Sequence, residues 1–158
     1  MTIRVQQADF DIGVELAALT QGNPGIGGVC CFTGLVRDLH PQADEQAGTV
    51  CALTLEHYPG MTERQLAAIE AEARARWPLE ACLIIHRYGR MEPGENIVLV
   101  ACASAHREAA FDACRFLMDW LKSKAPFWKL EETCRGTRWV ASRHSDEEAA
   151  RRWDQPAG

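Results

Sequence analysis

Two apolar runs joined by a short turn constrain the fold more than any other feature of this sequence. Residues 82–88 and 97–103 are both largely apolar, and Glu92-Pro93-Gly94-Glu95 lies between them. Runs joined by so short a turn pair antiparallel. Apolar residues at helical spacing follow over residues 106–122, so the sequence predicts an antiparallel pair of strands followed by the longest helix of the chain.

Further strands are predicted on either side of this pair. Apolar or alternating runs occupy residues 3–5, 29–36 and 50–57, and a hairpin-like stretch surrounds Trp139. The glycine-rich stretch of residues 22–28 is predicted to be a loop that leads into a strand. Because it opens no helix and lacks the lysine of a P-loop, it is a weak candidate for a phosphate cradle.

Two further helices are predicted from capping residues and apolar spacing. The first covers residues 10–20, with Asp9 or Asp11 as its N-cap. The second begins with Thr62 and Gln65 as a capping box. Its buried face is formed by Leu66, Ile69, Ala73 and Trp77.

The order of these elements predicts an α+β fold in a single domain, residues 1–158. Some strands are adjacent along the chain and others are separated by helices, which favours a mixed or antiparallel sheet with about three packed helices. Residues 38–48 are polar and are predicted to form a mobile loop, and residues 154–158 a flexible tail.

Composition excludes several function classes. The chain is 47% hydrophobic and 25% charged, as globular proteins are. Its formal net charge of −5 argues against nonspecific nucleic-acid binding. No apolar run approaches the roughly 20 residues that cross a bilayer, and the N-terminus has no apolar stretch of a secretory signal. The sequence therefore predicts a cytoplasmic protein.

Seven cysteines raise the question of a metal site or of disulfides. None forms a C-x-x-C pair, their number is odd, and most stand in apolar stretches, where a reduced thiol behaves as a small hydrophobe. We therefore expect buried, reduced thiols and no metal site. The seven are Cys30, Cys31, Cys51, Cys82, Cys102, Cys114 and Cys134.

The distribution of lysine is the strongest indication of chemistry. Only three of the 17 lysine and arginine residues are lysines, and Lys122, Lys124 and Lys129 fall within one short segment. A lysine can act as an acid, a base or a nucleophile, whereas arginine does not lose its proton. Favourable charge at a helix C-terminus explains Lys124 well. Lys122 and Lys129 are better candidates for a pocket.

The expected surroundings of these two lysines support that choice. Lys122 is predicted at the border of the apolar stripe of its helix, and Lys129 follows Phe127 and Trp128 in an aromatic setting that would partly desolvate it. The stripe is expected to contain Phe111, Cys114, Met118 and Leu121.

The same region of the chain suggests an anion-binding pocket. Residues 115–143 carry seven positive and three negative side chains, on a chain that is acidic overall. His106 and Arg107 stand where a strand leads into a helix, a position that favours phosphate, and Arg37 ends another strand. A cap or a solvated surface charge is the alternative for each. For His57, His86 and Arg87 we expect only hydrogen-bonded roles at sheet edges.

The longer motifs resemble the molybdopterin synthase large-subunit family, the MoaE family. They run in the order FTGLVRD, LEHYPGM, HRYGRMEPGE, SAHREAAFDACRFLMDWLKSKAPFWKLE and RWV, between about Phe32 and Trp153. The resemblance implies an α/β hammerhead plus an αβ sandwich. It also implies a homodimer in which each protomer binds one ubiquitin-like small subunit, giving a heterotetramer.

The activity implied by the resemblance is sulfur transfer. The small subunit's C-terminal thiocarboxylate supplies sulfur to cyclic pyranopterin monophosphate (precursor Z), which becomes the dithiolene of molybdopterin; no permanently bound cofactor is implied. By similarity, Lys122 and Lys129 correspond to the catalytic lysines. The substrate- and anion-binding residues would be Arg37, His106, Arg107 and, lent by the partner protomer, Arg143.

Two other functions compete with this one. A non-catalytic scaffold that docks the Gly-Gly tail of a ubiquitin-like partner would need the basic pocket but not tunable lysines. A sensor of small anions or nucleotide phosphates would use residues 22–28 as its cradle. The lysine pattern counts against the first, and the missing helix after residue 28 counts against the second.

Overall fold

The computed structural model describes residues 2–37, 50–133, 136–140 and 144–154. The predicted loop at 38–48, most of the predicted tail and Arg143 lie outside this part of the chain. Eight strands and four helices are described. In chain order they are β1 (Ile3–Gln6), α1 (Ile12–Thr20), β2 (Gly28–Leu35), β3 (Val50–His57), α2 (Met61–Arg76), β4 (Leu79–Arg87), β5 (Gly89–Met91), β6 (Asn96–Ser104), α3 (Arg107–Ser123), β7 (Phe127–Thr133), β8 (Gly136–Val140) and α4 (His144–Arg151).

The strands form two four-stranded sheets. The first has the order β1-β4-β6-β2, in which β1 and β4 are parallel and the other neighbours antiparallel. The second has the order β5-β3-β7-β8 and is antiparallel throughout. The predicted α+β class with a mixed sheet is therefore confirmed, as is the antiparallel pairing of the two apolar runs, now β4 and β6.

The two central strands of the first sheet, β4 and β6, are buried on both faces because residues 82–85 and 98–103 are all apolar. Along β4, Cys82 and Ile84 face α2 and α3, whereas Leu83 and Ile85 face α1. The same alternation along β6 completes both faces. Helices on both sides of the sheet thus explain why these two strands contain continuous apolar runs.

Local capping hydrogen bonds mark the start of the first two helices. Asp11 is the N-cap of α1, and its carboxylate accepts a hydrogen bond of 2.9 Å from the N–H of Val14. In α2 the predicted capping box is wrong. The helix begins after Gly60, whose N–H donates to the carboxylate of Glu63 at 2.6 Å. Thr62 is completely buried instead.

The buried face of α3 is rotated from the one predicted. Phe111 is 59% exposed, whereas Phe116 and Leu117 lie in the core with Cys114 and Leu121. The predicted stripe starts at Phe111, the first aromatic residue of the helix, whereas the residues buried against the sheet lie one to two positions away. The predicted place of Lys122 at the border of the core therefore fails as well, since Lys122 is exposed.

Two elements were not predicted. The three-residue strand β5 adds an edge to the second sheet beside β3. Helix α4 packs on α3, and Trp153, just after it, meets the rings of Trp77 and Phe116 edge-on at 5.7 and 5.5 Å. None of the helices in the described ranges is both long and apolar enough to span a membrane.

Candidate active site

A short segment carries all three lysines and joins α3 to the second sheet. Lys122 lies in the last turn of α3, and the N–H of Lys124 closes that turn on the carbonyl of Trp120 at 2.8 Å. Strand β7 begins only three residues later, at Phe127. We call residues 122–129 the lysine segment. Because it is so short, both lysines predicted to be catalytic lie at the same end of the molecule.

Lys129 is paired with a buried carboxylate. Its Nζ lies 3.8 Å from Oε1 of Glu131, whose side chain is 4% exposed. Arg138 of β8 donates two hydrogen bonds to the other oxygen of Glu131, at 2.8 and 3.0 Å. Lys129 and Glu131 are two residues apart on β7 and share a face, so Trp128 points to the opposite one. Trp128 therefore does not cover Lys129 as predicted, whereas Phe127 lies on the same face of β7 as Lys129, whose side chain is 43% exposed.

Glu131 and Arg138 were not singled out from the sequence. An acidic residue two positions after a lysine in a strand is a usable signal, because alternate side chains share a face. The pairing of β7 with β8, which places Arg138 opposite Glu131, becomes visible only in the folded sheet.

Lys122 is exposed and lies near a buried histidine. Within the described ranges, no carboxylate is at ion-pair distance from its ammonium group. The positive charge of Lys122 contributes to lowering the pKa of His86, after the larger effect of burial. Lys122 is thus close to the end of β4, where His86 stands opposite Val98 of β6.

Arg37 belongs to the same end of the molecule as the lysines. It directly follows Val36, which is 4% exposed and packs with Leu55. Leu55 is in turn the cross-strand partner of Lys129. Arg37 itself is exposed.

His106 and Arg107 lie at the opposite end. His106 is the N-cap of α3 but its side chain caps nothing, and both residues are exposed. The adjacent turn is held by Ser104, whose hydroxyl donates to the carbonyl of Pro78 at 2.8 Å. Gly27 packs against this turn so closely that a Cβ there would lie 2.1 Å from the carbonyl oxygen of Ala105. Close packing on this turn accounts for that glycine without a phosphate.

The predicted site residues therefore form two groups rather than one pocket within a single chain. His106 and Arg107 follow the C-terminal end of β6, whereas Lys122 lies near its N-terminal end. Arg107 and Lys122 are fifteen positions apart on α3, a distance of about 22 Å along the helix. Within one chain, a small substrate therefore cannot contact both groups.

Beside the lysine segment lies a cluster of aromatic rings. His86 stacks on Phe127, with ring centroids 3.7 Å apart and planes inclined by 15°. The ring of His57 lies 6.2 Å from Phe127 and 4.5 Å from Tyr88. Burial is the main cause that lowers the pKa of His86 to about 4. His86 is therefore a neutral, buried ring.

The expected position of His57, His86 and Arg87 at sheet edges is wrong, whereas the expected hydrogen bonds are present for His86 and Arg87. Both β3 and β4 are interior strands, and Nδ1 of His57 is buried without a hydrogen-bond partner among the described residues. Arg87 is 6% exposed and ties the start of the chain to the β5–β6 turn. Its guanidinium donates to Gln7 O, Asp9 Oδ1, Glu95 Oε1 and Asn96 O.

The cysteines are placed as expected only in part. Cys82, Cys102 and Cys114 are buried, but Cys31 and Cys51 are exposed. All six described cysteines are reduced, and Cys134 lies outside the described ranges. Within those ranges, no group of three or more His, Cys, Asp or Glu side chains is arranged to hold a metal ion.

A cavity of about 340 Å³ opens elsewhere, among α2, α3 and α4. Its walls include Arg76, Trp120 and Trp153, and of the lysines it contains only Lys124. It does not include Lys122 or Lys129, so we place the candidate active site at the lysine segment and not in this cavity.

Comparison with known proteins agrees with the fold and with the motifs. The MoaE protein family model matches residues 5–124. A molybdopterin synthase catalytic subunit of Pseudomonas aeruginosa is 58% identical over 155 residues, covering 98% of this chain and all of the relative. A second one, from Mesorhizobium japonicum, is 53% identical, covering 96% of this chain and 92% of the relative.

Solved structures give the same result. The molybdopterin biosynthesis MoaE protein of Burkholderia ambifaria is 50% identical with a TM-score of 0.81, covering 98% of this chain and 99% of that one. A molybdopterin synthase from Staphylococcus aureus is 27% identical with a TM-score of 0.79, covering 89% and 98%. The predicted resemblance is confirmed: the chain belongs to the MoaE family of molybdopterin synthase catalytic subunits.

Proposed function

We propose that this chain transfers sulfur from the C-terminal thiocarboxylate of a ubiquitin-like small subunit to cyclic pyranopterin monophosphate, forming the dithiolene of molybdopterin. The reaction makes it a sulfurtransferase that acts in the cytoplasm and holds no permanently bound cofactor. The observation that carries the proposal is the lysine segment, which brings two lysines to one end of the fold and pairs one of them with a buried carboxylate.

The two lysines have different surroundings, which suggests different roles. Lys129 is held beside Glu131 and Arg138, so its ammonium has a fixed position from which to stabilise negative charge on the substrate. Lys122 is exposed and, among the described residues, has no carboxylate at ion-pair distance. It is the better candidate to approach the substrate and donate a proton to the departing phosphate ester oxygen.

The chemical step needs both functions. Sulfur of the thiocarboxylate attacks a carbon of the pterin side chain, a C–S bond forms, and the phosphate ester oxygen leaves with a proton. Water then adds to the acyl carbon of the small subunit, so that the sulfur stays on the pterin and the tail ends as a carboxylate. Two rounds supply the two sulfur atoms of the dithiolene. In the first round the phosphate stays attached through its other ester bond, and in the second round an oxygen of the neighbouring carbon leaves as water.

Anion binding completes the site across two copies of the chain. Arg37 lies at the lysine end and is placed to hold the substrate phosphate or the tail's carboxylate. His106 and Arg107 would come from the second protomer, because about 22 Å of helix separates them from Lys122 within one chain. We assign Arg143 to the same second protomer. The assembly is then a homodimer with one small subunit on each protomer.

Reconstitution tests this proposal against the scaffold alternative. Purified protein, a small subunit carrying the thiocarboxylate, and cyclic pyranopterin monophosphate are combined, and molybdopterin is measured after conversion to a fluorescent derivative. We expect product only when all three are present. A small subunit that binds without any product would favour the non-catalytic scaffold.

A further inference from the structure

The ring stack between His86 and Phe127 ties the lysine segment to the first sheet, in addition to Ala125, which packs against the core on that sheet. Phe127 lies in the second sheet, opposite His57 of β3, whereas His86 lies in the first sheet, opposite Val98. The planes are almost parallel and the centroids 3.7 Å apart. Phe127 is also within the lysine segment, between its two predicted catalytic lysines.

A hydrogen bond to the backbone fixes the orientation of the His86 ring. Its Nδ1 lies 2.9 Å from the carbonyl oxygen of Arg87, and because a carbonyl only accepts, Nδ1 carries the proton. Arg87 is locked in turn by its own hydrogen bonds to four other residues. A buried, hydrogen-bonded ring of this kind has one orientation, so the face it offers to Phe127 is fixed.

We propose that His86 is a positioning residue of the active site: its stack on Phe127 holds the lysine segment so that Lys122 and Lys129 face one substrate. The remaining rings of the cluster support this arrangement, since the His57 ring lies 6.2 Å from Phe127 and 4.5 Å from Tyr88. His86 touches no reacting atom in this account. It acts through Phe127, and its catalytic consequence rests on the function proposed above.

The kinetic test distinguishes the effect of the ring stack from the effect of the imidazole group itself. His86→Ala removes the ring, and we expect kcat to fall about tenfold or more, because small misplacements of catalytic groups are costly. KM for the pterin substrate should stay within about twofold, since the substrate-binding residues are untouched. His86→Phe keeps a ring against Phe127 and should recover most of kcat. Native kcat in His86→Ala would overturn the proposal.

A second test does not depend on catalysis. The chain has only three lysines, so reductive methylation followed by mass spectrometry reports each one, with Lys124 as an internal reference. Without the stack, the segment should loosen and the labelling of Lys129 relative to Lys124 should rise about threefold. Phe127→Leu removes the same contact from its less buried side and should give the same rise, even if His86→Ala folds poorly.

Two controls make the labelling decisive. His86→Phe should keep the native ratio. Leu83→Ala removes a buried side chain on the face of the first sheet that packs on α1, opposite to the face covered by α3, and should lower stability without changing the ratio. An unchanged ratio in both His86→Ala and Phe127→Leu would refute the positioning role whether or not the native protein makes molybdopterin. Failure of the native protein to make product, with the ratio changed as expected, would instead refute the proposed function alone.

Discussion

Lys129 and Glu131 share one face of β7, with Nζ and Oε1 3.8 Å apart, although Glu131 is almost completely buried and Lys129 is not. A buried carboxylate is costly unless it is paired, and here Arg138 supplies two hydrogen bonds and Lys129 a further charge. The pair therefore links the stability of the second sheet to the geometry of the candidate active site.

Glu131→Gln should lower both the stability of the second sheet and the rate of the proposed reaction. Removing the charge leaves Arg138 and Lys129 without their carboxylate, at a cost of about 1–3 kcal/mol in the free energy of unfolding. Urea unfolding and single-turnover rates measure the two effects. The matched control is Glu132→Gln, because Glu132 pairs with the exposed Arg90 on the other face. Its cost should be below about 1 kcal/mol, and equal effects of the two variants would contradict this reading.

Stability should depend on pH through His86. Burial lowers its pKa from 6.5 to about 4, so the unfolded chain binds a proton at a higher pH than the folded one. The resulting stability is fully present above pH 6.5 and is lost as the pH falls toward 4, by up to about 3 kcal/mol. Asp9, whose pKa is lowered chiefly by a hydrogen bond from Asn96, contributes only at pH values below this window.

Unfolding by urea at several pH values measures this slope. His86→Phe, which has no titrating group at this position, should lose most of the dependence between pH 4 and 6.5. The same slope in the native protein and in His86→Phe would show that other groups are responsible.

The face that α3 presents to the sheet can be tested by two truncations. Leu117 is completely buried, so Leu117→Ala should cost about 2–5 kcal/mol of unfolding free energy. Phe111 is 59% exposed, so Phe111→Ala should change it by less than about 0.5 kcal/mol. Thermal or urea unfolding of both variants distinguishes this face from the one that the sequence alone predicted.

The two-protomer site predicts complementation between inactive variants. A heterodimer of Lys122→Ala and Arg107→Ala chains has one site in which the lysine and the arginine are both intact. Random mixing should restore about a quarter of the native activity. Lys122→Ala mixed with Lys129→Ala should restore nothing, because both changes affect the same end of the chain. Equal activity of the two mixtures would contradict the arrangement.

The parts of the fold that were predictable are those set by local patterns. The β4–β6 pair follows from two apolar runs and a short turn, and α1 from Asp11 and its apolar spacing. The strand β5 was missed because three residues after Tyr88 carry no periodicity of their own. The phase of α3 was missed because the sheet, and not the first aromatic residue, selects which side chains are buried.

The site was predictable in its residue types more than in its geometry. Scarcity of lysine pointed to Lys122 and Lys129, and both lie in one short segment. The burial of His86 and Glu131, and the separation of Arg37 from Arg107, depend on which strands become neighbours. Those contacts join residues far apart along the chain, and no local pattern encodes them.

The measurement that tests the central claim most directly is a single-turnover assay with three proteins: native, Lys122→Ala and Lys124→Ala. Each is mixed with cyclic pyranopterin monophosphate and the thiocarboxylated small subunit, and molybdopterin is followed in time. We predict product from the native protein and from Lys124→Ala, and a loss of at least about a hundredfold in Lys122→Ala. Native rates in Lys122→Ala would contradict the assignment of the lysine segment as the active site.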